Sequence, residues 1–192
     1  MPEVKFSEEG VLDSALELIR KHGYRTLSAR SIAKAAGCSV QPLYSRFGGM
    51  DGLMRALYEH ARKWVIEYNK KNAGEACNSF ASNGRSHIRL AQEERNLFEF
   101  LYLSPYMPAD SIDVLFESVS QPGVLEGIAK RGGVDKGRAR ELYVNMIVYT
   151  HGLASMIACG ASFSDDELEP LMDNAFYAFA AAAGIAQPEN DR

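Results

Sequence analysis

The chain is short of nearly everything that marks a secreted, membrane-embedded or catalytic protein. Cysteine occurs three times, at Cys38, Cys77 and Cys159. That odd count without CxxC spacing argues against a disulfide framework or a zinc knuckle and points to a reducing, cytoplasmic compartment. The four histidines, His22, His60, His87 and His151, show neither HxxxH nor HExxH spacing, and no glutamate stands three residues before any of them. Zinc-protease and di-iron ligation are therefore not written here, and no metal is expected. A GxSxG elbow, a phosphate-binding glycine loop and a dinucleotide fingerprint are all missing, so no catalytic residue and no cofactor is expected. The longest apolar stretch, Ala175 to Ala186, falls short of the roughly 18 residues that suggest a membrane span. The amino terminus, Met1 to Glu9, places acid where a signal peptide needs base, and no export is expected. Alternating β-branched runs bounded by tight-turn signals are absent as well.

What is present is a globular composition: 192 residues, 46% hydrophobic and 24% charged, with net charge −4. Neither a disordered acidic tail nor a uniformly basic nucleic-acid coat fits. The average hides a split. Residues 1–64 hold ten Lys/Arg against seven Asp/Glu, and residues 65–192 hold eleven against eighteen, so a basic head precedes an acidic body.

Apolar residues recur at helical spacing nearly throughout, which gives an all-α fold. The first helix runs from about Ser7 to His22, with Leu12, Ala15, Leu16 and Ile19 inward and Lys21-His22-Gly23 as its ending. Ser28 is a natural N-cap for a short helix Ala29–Ala36, with Ile32, Ala33 and Ala36 inward, stopped by Gly37. Ser39 caps the next helix, anchored by Leu43, Tyr44 and Phe47. Pro42 falls in its first turn, where the missing N–H costs no intrahelical bond. A long helix of about Asp51–Lys71 follows Gly48-Gly49, with Leu53, Leu57, Trp64 and Tyr68 as its inward stripe. Residues 72–84 read as a connection and Ser86–Leu103 as one long helix. Pro105, Pro108 and Pro122, with Gly123, Gly127, Gly132 and Gly133, divide the middle into short helices and turns. Helices of about Lys136–Cys159 and Asp165–Ala183 close the chain.

Two short helices joined by a glycine turn, with a supporting helix before them, form the pattern of a helix-turn-helix DNA reader. The logic is steric: one α-helix fits the major groove, so Val40–Phe47 can present side chains to base edges while Ala29–Ala36 lies across the backbone. The cap positions Ser28 and Ser39 bring free N–H groups and positive dipole ends toward phosphates.

At these residues the sequence resembles the TetR family of transcriptional regulators. The resemblance lies in Leu27-Ser28-Ala29-Arg30-Ser31-Ile32-Ala33-Lys34-Ala35-Ala36-Gly37-Cys38-Ser39, followed by Leu43-Tyr44 and Phe47, and extends from about Val11 to Leu57. Further on, Tyr149-Thr150-His151-Gly152-Leu153-Ala154 is similar to a penultimate-helix segment of many members. The resemblance implies a helix-turn-helix DNA-binding domain at 1–50 and a helical effector-binding and dimerisation domain at 51–192, with the 51–71 helix connecting them. It further implies a homodimer built on the last two helices, a roughly palindromic double-stranded DNA operator, and a small-molecule effector that releases repression. Gln41 is suited to an adenine edge and Arg46 to a guanine or phosphate, while Tyr44 matches the family's aromatic phosphate contact. Arg30 and Lys34 supply charge; Ser28, Ser39, Pro42 and Ser45 complete the expected DNA-facing set. Two departures make operator identity non-transferable: Gly48-Gly49 stands where many relatives have a lysine and a capping polar residue, and Pro42 stands where a small hydroxyl residue is common.

In the body, Trp64, Tyr68, Phe98, Tyr102, Met107, Phe116, Met146, Tyr149 and His151 form the candidate effector set, a supply of aromatics and methionine able to line an adaptable apolar cavity. Single residues of this kind are usually core. Arg85, His87 and Arg89 form a basic cluster suited to an anionic effector group or simply to a solvated helix face. Cys38 reads as a small buried hydrophobe, and Cys77 and Cys159 likewise. The competing function, from another class, is a helical small-molecule-binding protein or enzyme that keeps the reader fold without specific DNA binding.

Overall fold

A computed structural model describes residues 7–72, 80–108, 111–119 and 123–185. Cys77, Pro122 and Ala186 lie outside the described residues. Among those described, every regular element is helical. The helices are α1 (Glu8–His22), α2 (Ala29–Ala35), α3 (Val40–Phe47), α4 (Met50–Asn72), α5 (Phe80–Glu93), α6 (Arg95–Tyr102), α7 (Ile112–Val119), α8 (Val124–Gly132), α9 (Lys136–Ala158) and α10 (Asp165–Ala182), with a 3-10 turn at Tyr24–Thr26 after α1.

The chain divides into two compact units, Met1–Asn72 with Glu93–Met107, and Ala73–Gln92 with Pro108–Arg192. In the first, α1 starts where the Gly10 amide donates to Ser7 Oγ at 3.0 Å, and its apolar face, Val11, Leu12, Ala15, Leu16 and Ile19, is wholly buried. Leu53, Met54, Leu57, Tyr58, Ala61 and Val65 of α4 and Leu97, Phe98, Phe100 and Leu101 of α6 are buried too. Each of these side chains larger than alanine contributes roughly 1.5–3 kcal/mol. The Tyr58 hydroxyl donates to the Leu101 carbonyl at 3.0 Å; burial pushes its pKa up to about 12, so it is a neutral donor. The second unit is built around Val124, Ile128, Leu142, Tyr143 and Met146, over which the small residues Ala175 and Ala180 of α10 and Ala183 at its C-cap close.

Several expectations change. Helix α5 begins at Phe80, so the connection read over 72–84 is shorter than its weak periodicity implied. The single helix expected over Ser86–Leu103 is two, interrupted at Glu94 (φ −127°, ψ 50°). The inner edge of α4 runs through Leu53, Leu57, Ala61 and Val65, while Trp64 and Tyr68 are half-buried at its flank. Ala36 is also only half-buried, because it lies past the last turn of α2. Neither Cys38 nor Cys159 is a buried hydrophobe: the first is half-buried and the second exposed.

Candidate nucleic-acid interface

The α2 start is a reciprocal cap. The Ser31 amide donates to Ser28 Oγ at 3.1 Å, and the Ser28 amide donates to Ser31 Oγ at 2.9 Å. The helix stops in a Schellman arrangement, with Cys38 N–H on the Ala33 carbonyl at 2.9 Å and Gly37 N–H on that of Lys34 at 3.4 Å. Gly37 sits there at φ 68°, a conformation that L residues with a Cβ rarely adopt. The two-residue link to α3 follows directly.

Ser39 occupies the N-cap of α3 with extended backbone but makes no capping side-chain bond, contrary to expectation. Pro42, the third helical residue, leaves the helix intact. Leu43 is the buried anchor at 1% exposure, whereas Tyr44 is 49% exposed and does not anchor α3 inward. Helical geometry explains the difference: Val40, Leu43 and Phe47 share the inner face, and Gln41, Tyr44 and Ser45 share the outer one. Ser45 Oγ donates to the Pro42 carbonyl at 3.1 Å, which leaves its oxygen lone pairs facing outward as acceptors. Ser28, Arg30, Lys34, Ser39, Gln41, Tyr44, Ser45 and Arg46 are all exposed, and Pro42 is half-buried.

Charge pairing separates this face from most of the arginines elsewhere in the first unit. Arg20, Arg25, Arg55 and Arg62 have carboxylate partners. No ion pair engages Arg30, Lys34 or Arg46 among the described residues. Three unneutralised cations and an exposed tyrosine thus crowd α2 and α3.

One positioning residue escaped the sequence reading. A Cβ on Gly52 would stand 1.9 Å from the Phe47 carbonyl oxygen, so the last turn of α3 lies against the first turn of α4 in a way that only glycine allows. Its signal was a glycine inside a helical pattern, which normally marks either a weakness or a close approach.

The candidate effector residues fall in both units. In the first, Trp64 stacks on Tyr68 (centroids 5.2 Å, 16°), and fully buried Phe98 packs at 5.0 Å from half-buried Tyr102; Met107 is half-buried. In the second, Phe116 meets the edge of Tyr143 at 5.4 Å, Met146 is in the core, and Tyr149 meets Phe179 at 6.3 Å.

His151 pairs with His87, Nδ1 to Nε2, at 3.3 Å, and its Nε2 lies 3.4 Å from Ser155 Oγ. Burial, then the neighbouring ring, pushes the His87 pKa down to about 3; burial lowers that of His151. His87 is therefore neutral near pH 7 and does not belong to a basic cluster, which overturns that expectation. Arg85 faces Glu169 at 3.9 Å. The described residues gather no group of three or more His, Cys, Asp or Glu able to hold a metal, and none of their helices is long and apolar enough to cross a membrane.

The geometry defines a helix-turn-helix protein: a supporting helix, two short helices joined by a tight glycine turn, and an exposed polar face on the second. Residues 11–57 match the sequence model of bacterial regulatory proteins, tetR family. Over that segment, about a quarter of the chain, the sequence is similar to the TetR family. It is 33% identical over 54 residues to the HTH-type transcriptional repressor ComR of Escherichia coli (strain K12). That match covers 28% of this chain, which spans about a quarter (26%) of the relative's length. In fold it is similar to a TetR family transcription regulator from Marinobacter aquaeolei VT8, with TM-score 0.59 and 19% identity, over 88% of this chain and 93% of the other.

Proposed function

We propose that this chain is a DNA-binding transcriptional regulator that acts as a homodimeric repressor and leaves a roughly palindromic operator when a small molecule binds its helical body. The observation that carries the reading is the outer face of α3, where Gln41, Tyr44, Ser45 and Arg46 stand exposed around an anchor, Leu43, that is 1% exposed. Gln41 would pair with an adenine edge, and Arg46 with a guanine or phosphate. Tyr44, Arg30 and Lys34 would hold the backbone, with the amide ends at Ser28 and Ser39 beside it. In this reading residues 1–50 are the reader and 51–192 the effector and dimerisation body, with α4 joining them.

Dimerisation is supported by an exposed stripe on α9, where Val148 and Met156, 55% and 48% exposed, flank Gly152, together with exposed Leu171 and Tyr177 on α10. Two such chains would bring their α3 helices to successive major grooves, about 34–36 Å apart or a multiple of that. A coupling of about 1–3 kcal/mol between effector and DNA sites, roughly 5–150-fold in affinity, would make a switch.

The test is titration of the purified protein with duplex DNA from upstream of its own reading frame, at low and moderate salt, against random duplex. Sequence-dependent, salt-sensitive binding by a dimer supports the reading. Affinity no better than for random DNA under every ligand condition discards it in favour of a binding protein that keeps the reader fold unused.

A further inference from the structure

Elsewhere in this chain a polar residue at a helix N-cap bonds to the third residue of the helix that it opens. The Gly10 amide donates to Ser7 Oγ at 3.0 Å, the Ser31 amide to Ser28 Oγ at 3.1 Å and the Arg138 amide to Asp135 Oδ1 at 3.0 Å. Ser164 Oγ donates to the Glu167 carboxylate at 2.9 Å. The third-residue amide is the partner that a short N-cap side chain ordinarily takes.

Helix α3 has the cap residue without that partner. The backbone at Ser39 (φ −88°, ψ 166°) is close to that at Ser7 (φ −82°, ψ 153°), so local conformation does not account for the missing bond. The third helical residue does: it is Pro42, whose nitrogen carries no hydrogen. Exposed Ser39 makes no side-chain hydrogen bond to any described residue. Its hydroxyl is thus unspent at the start of the helix whose outer face carries Gln41, Tyr44 and Ser45.

We propose that Pro42 is a positioning residue of the reader: by withholding the third-residue amide it keeps the Ser39 side chain off the helix cap, so that the hydroxyl turns outward and donates to a DNA phosphate oxygen. A capped serine also keeps its O–H, but its oxygen is pinned over the first turn; an uncapped one follows an acceptor outside the chain. The surroundings choose the acceptor. Arg30, Lys34 and Arg46 have no carboxylate partner among the described residues, which suits an anion, and one hydroxyl positions a duplex without reading its bases. The phosphate contact rests on the DNA-binding function proposed above; the loss of the cap does not.

A double-mutant cycle on the full chain tests both halves, with Ser39→Ala, Pro42→Ala and the pair beside the parent. An amide at position 42 lets Ser39 cap α3. Ser39→Ala should therefore leave the parent's melting temperature nearly unchanged and lower that of the Pro42→Ala chain by roughly 2–4 °C. On random duplex at low salt, where phosphate contacts dominate, Ser39→Ala should weaken the parent about threefold to tenfold, as one hydrogen bond to a charged acceptor would. In the Pro42→Ala background the loss should be less than about twofold. Comparing Ser39→Ala across two backgrounds cancels what Pro42 contributes by its own contacts or by stiffening the unfolded chain. No affinity loss in the parent, equal losses in both backgrounds, or the same melting shift in both overturns the proposal. Operator selectivity that Ser39→Ala leaves intact in strength removes the phosphate contact and spares the regulator. A Ser39-dependent affinity that is equal for every sequence keeps the contact and discards the regulator, and a parent that binds no duplex overturns both.

Discussion

Acid should destabilise this protein through its paired histidines before most carboxylates titrate, and the size of the effect follows from His87. Its pKa in the folded chain is pushed down to about 3 from an ordinary 6.5, so below pH 6.5 the unfolded chain takes up a proton that the folded chain refuses. The stability associated with neutral His87 is complete above pH 6.5 and is lost as pH falls toward 3. The slope approaches about 1.4 kcal/mol per pH unit for one proton. Between pH 7 and 4.5 the loss is therefore roughly 2–3 kcal/mol, an upper figure because the ring is half-buried and water can reach it. His151 shifts in the same direction and adds to the effect. A glutamine at position 87 keeps amide hydrogen-bonding capacity toward His151 and cannot take up the proton. The assay is urea unfolding of parent and His87→Gln at half-unit steps over pH 7 to 4.5, read by far-UV circular dichroism. The parent's stability should fall more steeply by about 1 kcal/mol per pH unit at the acid end. Parallel curves would refute the reasoning, since both chains share the same carboxylates.

Other outcomes follow from the reader. Tyr44→Ala should weaken operator binding roughly 3–10-fold, the worth of about one hydrogen bond, with melting temperature and dimerisation measured alongside. Gln41→Ala should relax base preference at one position per half-site by about 1–3 kcal/mol while leaving affinity for random duplex nearly intact, as a binding-site selection would register; unchanged preference would remove Gln41 from base contact. Gly52→Ala places a methyl 1.9 Å from the Phe47 carbonyl oxygen, so it should cost on the order of 2–3 kcal/mol and shift amide resonances across α3. Ser28→Ala breaks the reciprocal cap with Ser31 and should lower the denaturation midpoint by an amount equivalent to about 1 kcal/mol.

Legibility in the sequence tracked how local each cause was. The start of α1 and the boundaries of α2 rest on Ser7, Ser28 and Gly37, whose side-chain oxygens or missing Cβ act within three to five residues, and these were readable. The outer face of α3 was readable in part: Leu43 is the anchor expected, but Tyr44, counted as an anchor too, is 49% exposed. Ser39 shows the limit: the residue type is right for a cap, yet the bond is not made. Gly52 was legible only as an oddity, since its reason is the backbone of the preceding helix.

Causes that act across the fold left a weaker trace. The histidine pair joins residues 64 apart, so a search for ligand spacings along the chain passes over it, and counting His87 as a cation mistakes its charge. The interruption at Glu94 is the sharper case. No residue from Leu90 to Leu97 is glycine or proline and most favour a helix, while the group that bonds Glu94, Arg20, lies 74 residues upstream of it. Local preference and tertiary contact point opposite ways there, whereas in α1 and α2 they agree. Sequence patterns therefore place an element boundary well where local preference and tertiary contact agree, and miss it where the two part.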